Sequence, residues 1–382
     1  MMSFNSALFK LDQLYLEIPE RAHQIAAYST AGARWRASLN QFTLDAFLPW
    51  LREEYAPEAR SWLNPATLPT VWEFVNGTAI AFDNVRMVLI PSDAIDTDEL
   101  RVPQEWLDIP AWAADYYVAM QINPDEGWMR VLGYTTHHRL KTQGNYDPSD
   151  RAYTLSEDSL FQDLSILWLA RELGANDVLR AEVAALPSLP ATQATNLIER
   201  LSDPTIVFPR QAIPFPLWGA LLEHGGWRKR LYQWRQGMPE QWSISQWLQS
   251  GISMLAEQIG WHQVERQPAI VFRSLPTTVL TRQLSIAGNS YQLNITPLPE
   301  HTTPEAFAWR FELRSSDSTG RIPSGFKLRL LTEDLQPFEH NQDEAVEPVE
   351  VLSVEVLITP HEGLVWEVEP MPDGCDREIL TF

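Results

Sequence analysis

The chain has 382 residues, 45% of them hydrophobic, and a formal net charge of −21. The length exceeds the roughly 250–300 residues at which single cores stop growing, so several domains are expected, and the apolar content excludes wholesale disorder. A surface this negative repels nucleic-acid backbone and anionic lipid, which leaves a basic protein partner, or solubility alone, as the meaning of the charge.

Up to about Ser61 the chain reads as helical: Ala22, Ile25, Ala26, Trp35, Leu39, Phe42, Ala46 and Leu48 recur at three- and four-residue steps, thickened by Leu44, Phe47, Trp50 and Leu51. Pro57 and Pro65 close this unit. Val71–Val75 then reads as a strand leading into an Asn76-Gly77 hairpin turn, followed by strands over Val85–Ile90, Tyr116–Ile122 and Trp128–Tyr134, with a turn at Asn123–Gly127. Helical spacing returns with Leu160, Leu164, Leu167, Trp168 and Leu173, with Ser156 as N-cap and Gly174 as stop. Further helices are expected over Thr192–Leu201, Leu217–Glu223, Trp227–Gln236 and Ile244–Ile259. Beyond a linker at residues 266–280, period-two segments bracket a Gly288-Asn289 turn and continue through Trp309–Leu313, Phe326–Leu330, Val349–Ile358 and Leu364–Val368.

The resulting expectation is a multidomain α+β protein in which helical segments alternate with a small β-barrel-like domain and a C-terminal β-sandwich. Its parts are an N-terminal helical segment (1–65), the barrel-like domain (66–155), a central helical block (156–265), and the linker with an acidic sandwich (266–382).

Catalytic signatures are missing. No nucleophile elbow, phosphate loop or dinucleotide fingerprint occurs, and no histidine spacing matches the common metal motifs. His137 and His138 are read at a strand end, where adjacent side chains face opposite ways and chelate poorly. The single Cys375 excludes an internal disulfide, and its acidic neighbours Asp373 and Asp376 disfavour a thiolate. Met1–Glu20 lacks a basic segment leading into an apolar run, and no stretch approaches the roughly 20 apolar residues of a membrane span; a cytoplasmic location is expected.

Two charge features remain. From Leu330 to Asp376 the chain carries many acids, among them Glu339, Asp343, Glu344, Glu347 and Glu350, without a lysine or arginine; a second acidic stretch, from Asp93 to Glu126, has Arg101 as its one cation. Like charges facing each other across strands repel, and a basic partner would relieve them; a solubilising or edge-protecting surface is the plainer alternative. Conversely, Arg210, Arg228, Lys229, Arg230 and Arg235 interleave with Trp218, Trp227, Tyr232 and Trp234. Internal pairing with the acidic parts is ranked first for this cluster, partner docking second and single-stranded nucleic acid a distant third.

Long stretches carry a resemblance: Asp115–Ala119, Asn123–Trp128, Gly133–His137, Asn145–Asp147, Asp150–Tyr153, Trp218–Arg228 and Gln246–Leu248. Together they resemble an uncharacterised, mainly cyanobacterial family catalogued as a domain of unknown function. The likeness covers most of the chain and is weakest in the C-terminal β region. The family has no established catalytic residues. Its members are often encoded beside sigma factors and other regulators, and at least one similar protein is thought to be an anti-sigma factor.

The leading expectation is therefore a non-catalytic regulatory protein that needs no cofactor and binds a basic protein partner such as a sigma factor, without contacting nucleic acid directly. Glu339, Asp343, Glu344, Glu347, Glu350, Trp227, Arg228, Arg230 and Trp234 are its candidate partner-binding residues. The alternatives are an enzyme with an unfamiliar site around Tyr134, His137, His138 and Asp147, and an adaptor or carbohydrate-binding module using the C-terminal sandwich.

Overall fold

The computed structural model describes residues 13–19, 27–173, 178–237, 243–266, 277–302, 306–317 and 320–382. The expected helix start at Ala22–Ala26, the Gly174 stop and most of the linker lie outside the described residues. The protein is a mixture of helices and sheets in two compact units, Met1–Pro187 with Glu199–Glu223, and Ser188–Ile198 with His224–Phe382. Among the described residues, no helix is long and apolar enough to cross a membrane.

The first unit contains β1 (Tyr15–Glu17), α1 (Ala31–Glu54), β2 (Arg60–Ser61), α2 (Leu68–Trp72), β3 (Thr78–Phe82), β4 (Val85–Ser92), β5 (Glu99–Pro103), α3 (Glu105–Asp108), β6 (Tyr116–Asn123), β7 (Trp128–Thr136), α4 (His137–Gln143), β8 (Asn145–Asp147), β9 (Ala152–Ser156) and α5 (Leu164–Glu172). A six-stranded sheet, curled like half a barrel, runs β1-β7-β6-β4-β3-β2. The β4–β6 pair is parallel and the others antiparallel. A parallel pair needs a crossover, and the segment carrying β5 and α3 supplies it. A second, three-stranded sheet runs β5-β9-β8.

Several expectations change here. Tyr15–Glu17, read as helical, pairs as β1 with β7, because its alternating residues complete that sheet's edge. Thr30 caps α1 by accepting from the Ala33 amide, and the buried face is Leu39, Leu44, Phe47 and Leu51. Trp35 belongs to the same stripe but is 47% exposed, its indole donating to Asp93. Val71–Val75 is not a strand: Pro69 starts the short α2, which runs through Trp72, and Asn76-Gly77 joins this turn of helix to β3. Asp163, not Ser156, caps α5, since its carboxylate accepts from the Ser165 amide. Leu173, at the frayed end of that helix, is 75% exposed.

The helix α6 (Ala191–Leu201) is divided at Ile198 between the residues of the two units, and α7 (Phe215–Glu223) belongs to the first unit. The second unit continues with α8 (Gly225–Arg235), α9 (Ile244–Ser250), α10 (Met254–Gln258), β10 (Trp261–Arg266), β11 (Thr277–Ile286), β12 (Asn289–Pro297), β13 (Phe307–Ser315), β14 (Lys327–Thr332), β15 (Gln342–Glu344), β16 (Val351–Ile358), β17 (Gly363–Glu369) and β18 (Ile379–Thr381). Gly225 and Gly226 open α8 rather than only ending α7, and Gly251 at φ +94° splits the expected Ile244–Ile259 helix in two. The strands form antiparallel sheets ordered β10-β11-β12-β13-β16 and β15-β14-β17-β18. Rings from the two sheets meet: Trp309 and Phe382 lie 4.9 Å apart, and Tyr291 and Phe326 5.1 Å. The β11–β12 turn sits one residue earlier than expected, at Ala287-Gly288. Both have positive φ, and the strands pair up to Ile286 and Asn289 on either side.

Gly77 is the most constrained turn residue. Its φ is +114°, and an added Cβ would stand 2.6 Å from the Trp106 indole nitrogen and 2.9 Å from Ile90. Gly77→Ala is expected to destabilise the fold by about 1–3 kcal/mol, read as a lowered denaturant midpoint with unchanged slope.

Candidate functional site

The basic-aromatic cluster is engaged within the units that contain it. In the first unit, Arg210 donates to Glu105 at 3.0 and 2.7 Å, and the Trp218 indole donates to the same carboxylate at 2.8 Å. Glu105 is 0% exposed, and ion pairing plus the indole bond offset the cost of burying its charge. In the second unit, Arg228 pairs with Asp376, Arg230 with Glu333 at 2.6 Å, and the Trp227 indole donates to Glu333 at 3.1 Å. Trp227 and Arg228 are buried, while Trp234 is half-buried. Trp227 and Arg230 thus meet at Glu333, and Arg228 turns to Asp376.

The acidic tract is also partly neutralised from within. Glu355 pairs with Arg310 at 2.7 Å, Glu367 with Arg377 at 2.8 Å and Glu369 with Arg329 at 3.0 Å. These cations sit on neighbouring strands and flanking segments, so part of the repulsion expected from the acid-only stretch is relieved by residues outside it.

The segment 339–350 differs. It carries β15, the edge strand of its sheet. The buried Asn341 anchors it by donating to the Leu330 carbonyl at 2.7 Å, Asp343 accepts from the Ser353 amide at 2.8 Å, and the Ala345 amide donates to Phe326 at 2.8 Å. Along and beside these anchors Glu339, Glu344, Glu347 and Glu350 are exposed, and Val346 is 86% exposed. Glu344 has Lys327 at 3.3 Å and Glu339 has the His340 ring at 3.5 Å. Among the described residues, no ion pair reaches Glu347 or Glu350. The edge therefore presents fixed carboxylates around a bare apolar side chain.

The residues of the enzyme alternative take other places. His137 and His138 begin α4 rather than ending a strand, because Thr136 caps that helix through the Arg139 amide. The buried His137 accepts from the Ala181 amide at Nδ1 and so donates from Nε2 to the Leu107 carbonyl, both at 3.0 Å. A neutral imidazole satisfies both bonds, and burial holds its pKa below the ordinary histidine value. Tyr134 is buried against Phe161, and Asp147 accepts from Arg101 and Ser149. His224, which has no metal-motif spacing, caps α8 by accepting from the Trp227 amide at 3.3 Å, and its Nε2 bonds the Glu333 carbonyl at 3.1 Å. Burial, with Arg377 nearby, lowers its pKa to about 3. Cys375 is half-buried; desolvation, more than the acidic neighbours, raises its thiol to about 11, while Arg282 opposes the shift. Among the described residues, no group of three or more His, Cys, Asp or Glu is placed to hold a metal ion.

A family model described as "Protein of unknown function (DUF1822)" matches residues 16–381. No curated protein and no solved structure matches the chain.

Two measurements test this account of the buried groups. Glu105→Ala, which strands Arg210 and the Trp218 indole, is expected to cost about 3–5 kcal/mol in chemical denaturation, and the double change Glu105→Leu with Arg210→Met less than that. For the histidines, the folded pKa lies below the unfolded one, so their stabilising share is full above about pH 6.5 and is lost as pH falls towards the folded values. Stability measured between about pH 6.5 and 5 should fall by up to about 1.4 kcal/mol per pH unit for each histidine, and His224→Asn should flatten that slope.

Proposed function

The chain belongs to the DUF1822 family of proteins of unknown function, and we propose that it is a non-catalytic regulatory protein that binds a basic protein partner, in its sharpest form by sequestering a transcription factor such as a sigma factor. The observation that carries this reading is the 339–350 edge, where anchored backbone holds exposed carboxylates beside the apolar Val346. Charge at such a rim accelerates encounter, and an exposed apolar residue at its centre supplies contact once water is excluded. The net charge of −21 extends the attraction beyond the local patch. The sigma-factor version adds genomic context, since members of the cyanobacterial family that the sequence resembles are often encoded beside such factors. A DNA-contacting surface is basic, and an acidic edge is the complement needed to cover it. Trp227, Arg228 and Arg230 carry less weight in this reading than the acids, because their polar groups already meet Glu333 and Asp376.

The adaptor alternative calls for an exposed row of aromatic rings. Among the described residues of the second unit, Phe307 is an exposed ring and the core tryptophans Trp261, Trp309 and Trp366 are buried.

The test is a pull-down from native lysate with the full chain and with Glu339→Gln/Glu347→Gln/Glu350→Gln, at roughly 0.05 M and 0.5 M salt. A basic transcription component is expected to be retained by the wild type at low salt, to be lost at high salt, and to be recovered several-fold less by the variant. Retention that ignores both salt and the substitutions, or the absence of such a component, removes the reading.

A further inference from the structure

A cavity of about 680 Å³ opens in the first unit, where residues of the two sheets and of the loop preceding β5 line it. Its volume falls within the roughly 300–1,000 Å³ typical of small-molecule sites. The six-stranded sheet gives it an apolar wall. Ala119 pairs with Gly133 and Met120 with Val131, so Leu132 is the extra residue of a bulge in β7. This irregularity accounts for the neighbours Ala119 and Met120 both lining the space together with Leu132, although adjacent residues of a regular strand face opposite ways.

The three-stranded sheet gives a polar wall. Arg101, Thr154 and Asn145 form one cross-strand row, and all three line the cavity. Thr154 is 8% exposed, and among the described residues its hydroxyl has no hydrogen-bond partner. The residue lines the cavity, and its hydroxyl can both donate to and accept from a ligand's polar atom held against this wall.

Charge at the mouth is negative. Arg101 is already shared by Glu99, Asp147 and Asp150, each at 2.8 Å, and has little attraction left for an anion. Asp96 and Asp98 stand on the loop, the Asp98 amide donating to the Asp96 carboxylate at 3.3 Å, and among the described residues no ion pair reaches either carboxylate. The Asp96 charge also raises the pKa of Asp98. A cation at this point would relieve the repulsion between them.

We propose that this cavity binds a small organic amine with an apolar body: the ammonium at Asp96 and Asp98, the hydrocarbon on Met120 and Leu132, and a hydroxyl or second polar group at Thr154. The site lies in the first unit, apart from the acidic edge of the second, so it stands or falls independently of the protein-binding reading.

Calorimetric titration of the full chain at low salt with aminohexanol, hexylamine and hexanoate tests it. Saturable one-site binding is expected for both amines, tighter for aminohexanol, and none for hexanoate. Asp96→Asn/Asp98→Asn, which alters exposed loop residues and leaves the core intact, should weaken both amines tenfold or more. Thr154→Val should reduce aminohexanol affinity several-fold towards that of hexylamine while leaving hexylamine unchanged. The proposal is overturned if no amine binds saturably, if hexanoate binds as well as the amines, or if amine binding is the same in both variants as in the wild type.

Discussion

A carboxylate with no exposed surface constrains the first unit. Glu105 begins the short α3 in the crossover between two parallel strands, and its charge is tolerable only because Arg210 and the Trp218 indole reach it. Those partners come from more than 100 residues further along the chain, so the crossover and the segment around α7 must be brought together before either is stable. Arg151, in turn, donates to the carbonyls of Arg210 and Ile213 and fixes the same segment against the β8–β9 turn.

The second unit meets the same constraint with other residues. Arg282 is buried in β11 and pairs with Glu378 at 2.5 Å, while the Trp261 indole donates to Glu378 at 3.1 Å and the guanidinium lies 5.2 Å from the Trp366 ring centre. Arg228, itself buried, forms a further pair with Asp376, 148 residues along the chain and two residues before Glu378. Each unit thus combines guanidinium, carboxylate and indole, an arrangement in which the flat donor fork and the indole N–H together satisfy one carboxylate. The abundance of tryptophan follows in part from this use: the ring fills core volume and its nitrogen serves a buried acid.

Such pairing also decides what remains for function. The buried histidines spend both ring nitrogens on backbone groups, and the buried arginines spend their charge on acids. Two of the places where surface acids lack an ion-paired cation among the described residues are the 339–350 edge, at Glu347 and Glu350, and the mouth of the cavity, at Asp96 and Asp98. The first is exposed and anchored, suited to a broad basic surface; the second borders a concave, partly apolar space, suited to a small cation.

Much of the architecture was legible in the residues alone. Apolar runs bounded by turn residues located β4, β6 and β7, and period-two alternation located β13, β16 and β17, because both signals depend only on neighbours in sequence. Helical spacing located α5, α7 and α8 for the same local reason, and the acidic character of 339–350 is a property of composition. The failures were of two kinds. Val71–Val75 went wrong because an apolar segment of that length fits either a strand or a turn of helix, and only packing chooses; Trp35 lies on the helix as expected, but packing leaves it exposed. Internal pairing of the basic cluster was expected, but not with which acids, since the partners of Glu105, Arg228 and Glu333 lie 103–148 residues away and no local pattern specifies them. The sequence by itself determined which segments alternate, where charge accumulates and which reactive residues are scarce. Only the tertiary structure decided which charges cancel, which histidines are spent, and that a bulge in β7 opens a cavity between one apolar and one polar sheet, because those outcomes depend on distances between segments remote along the chain.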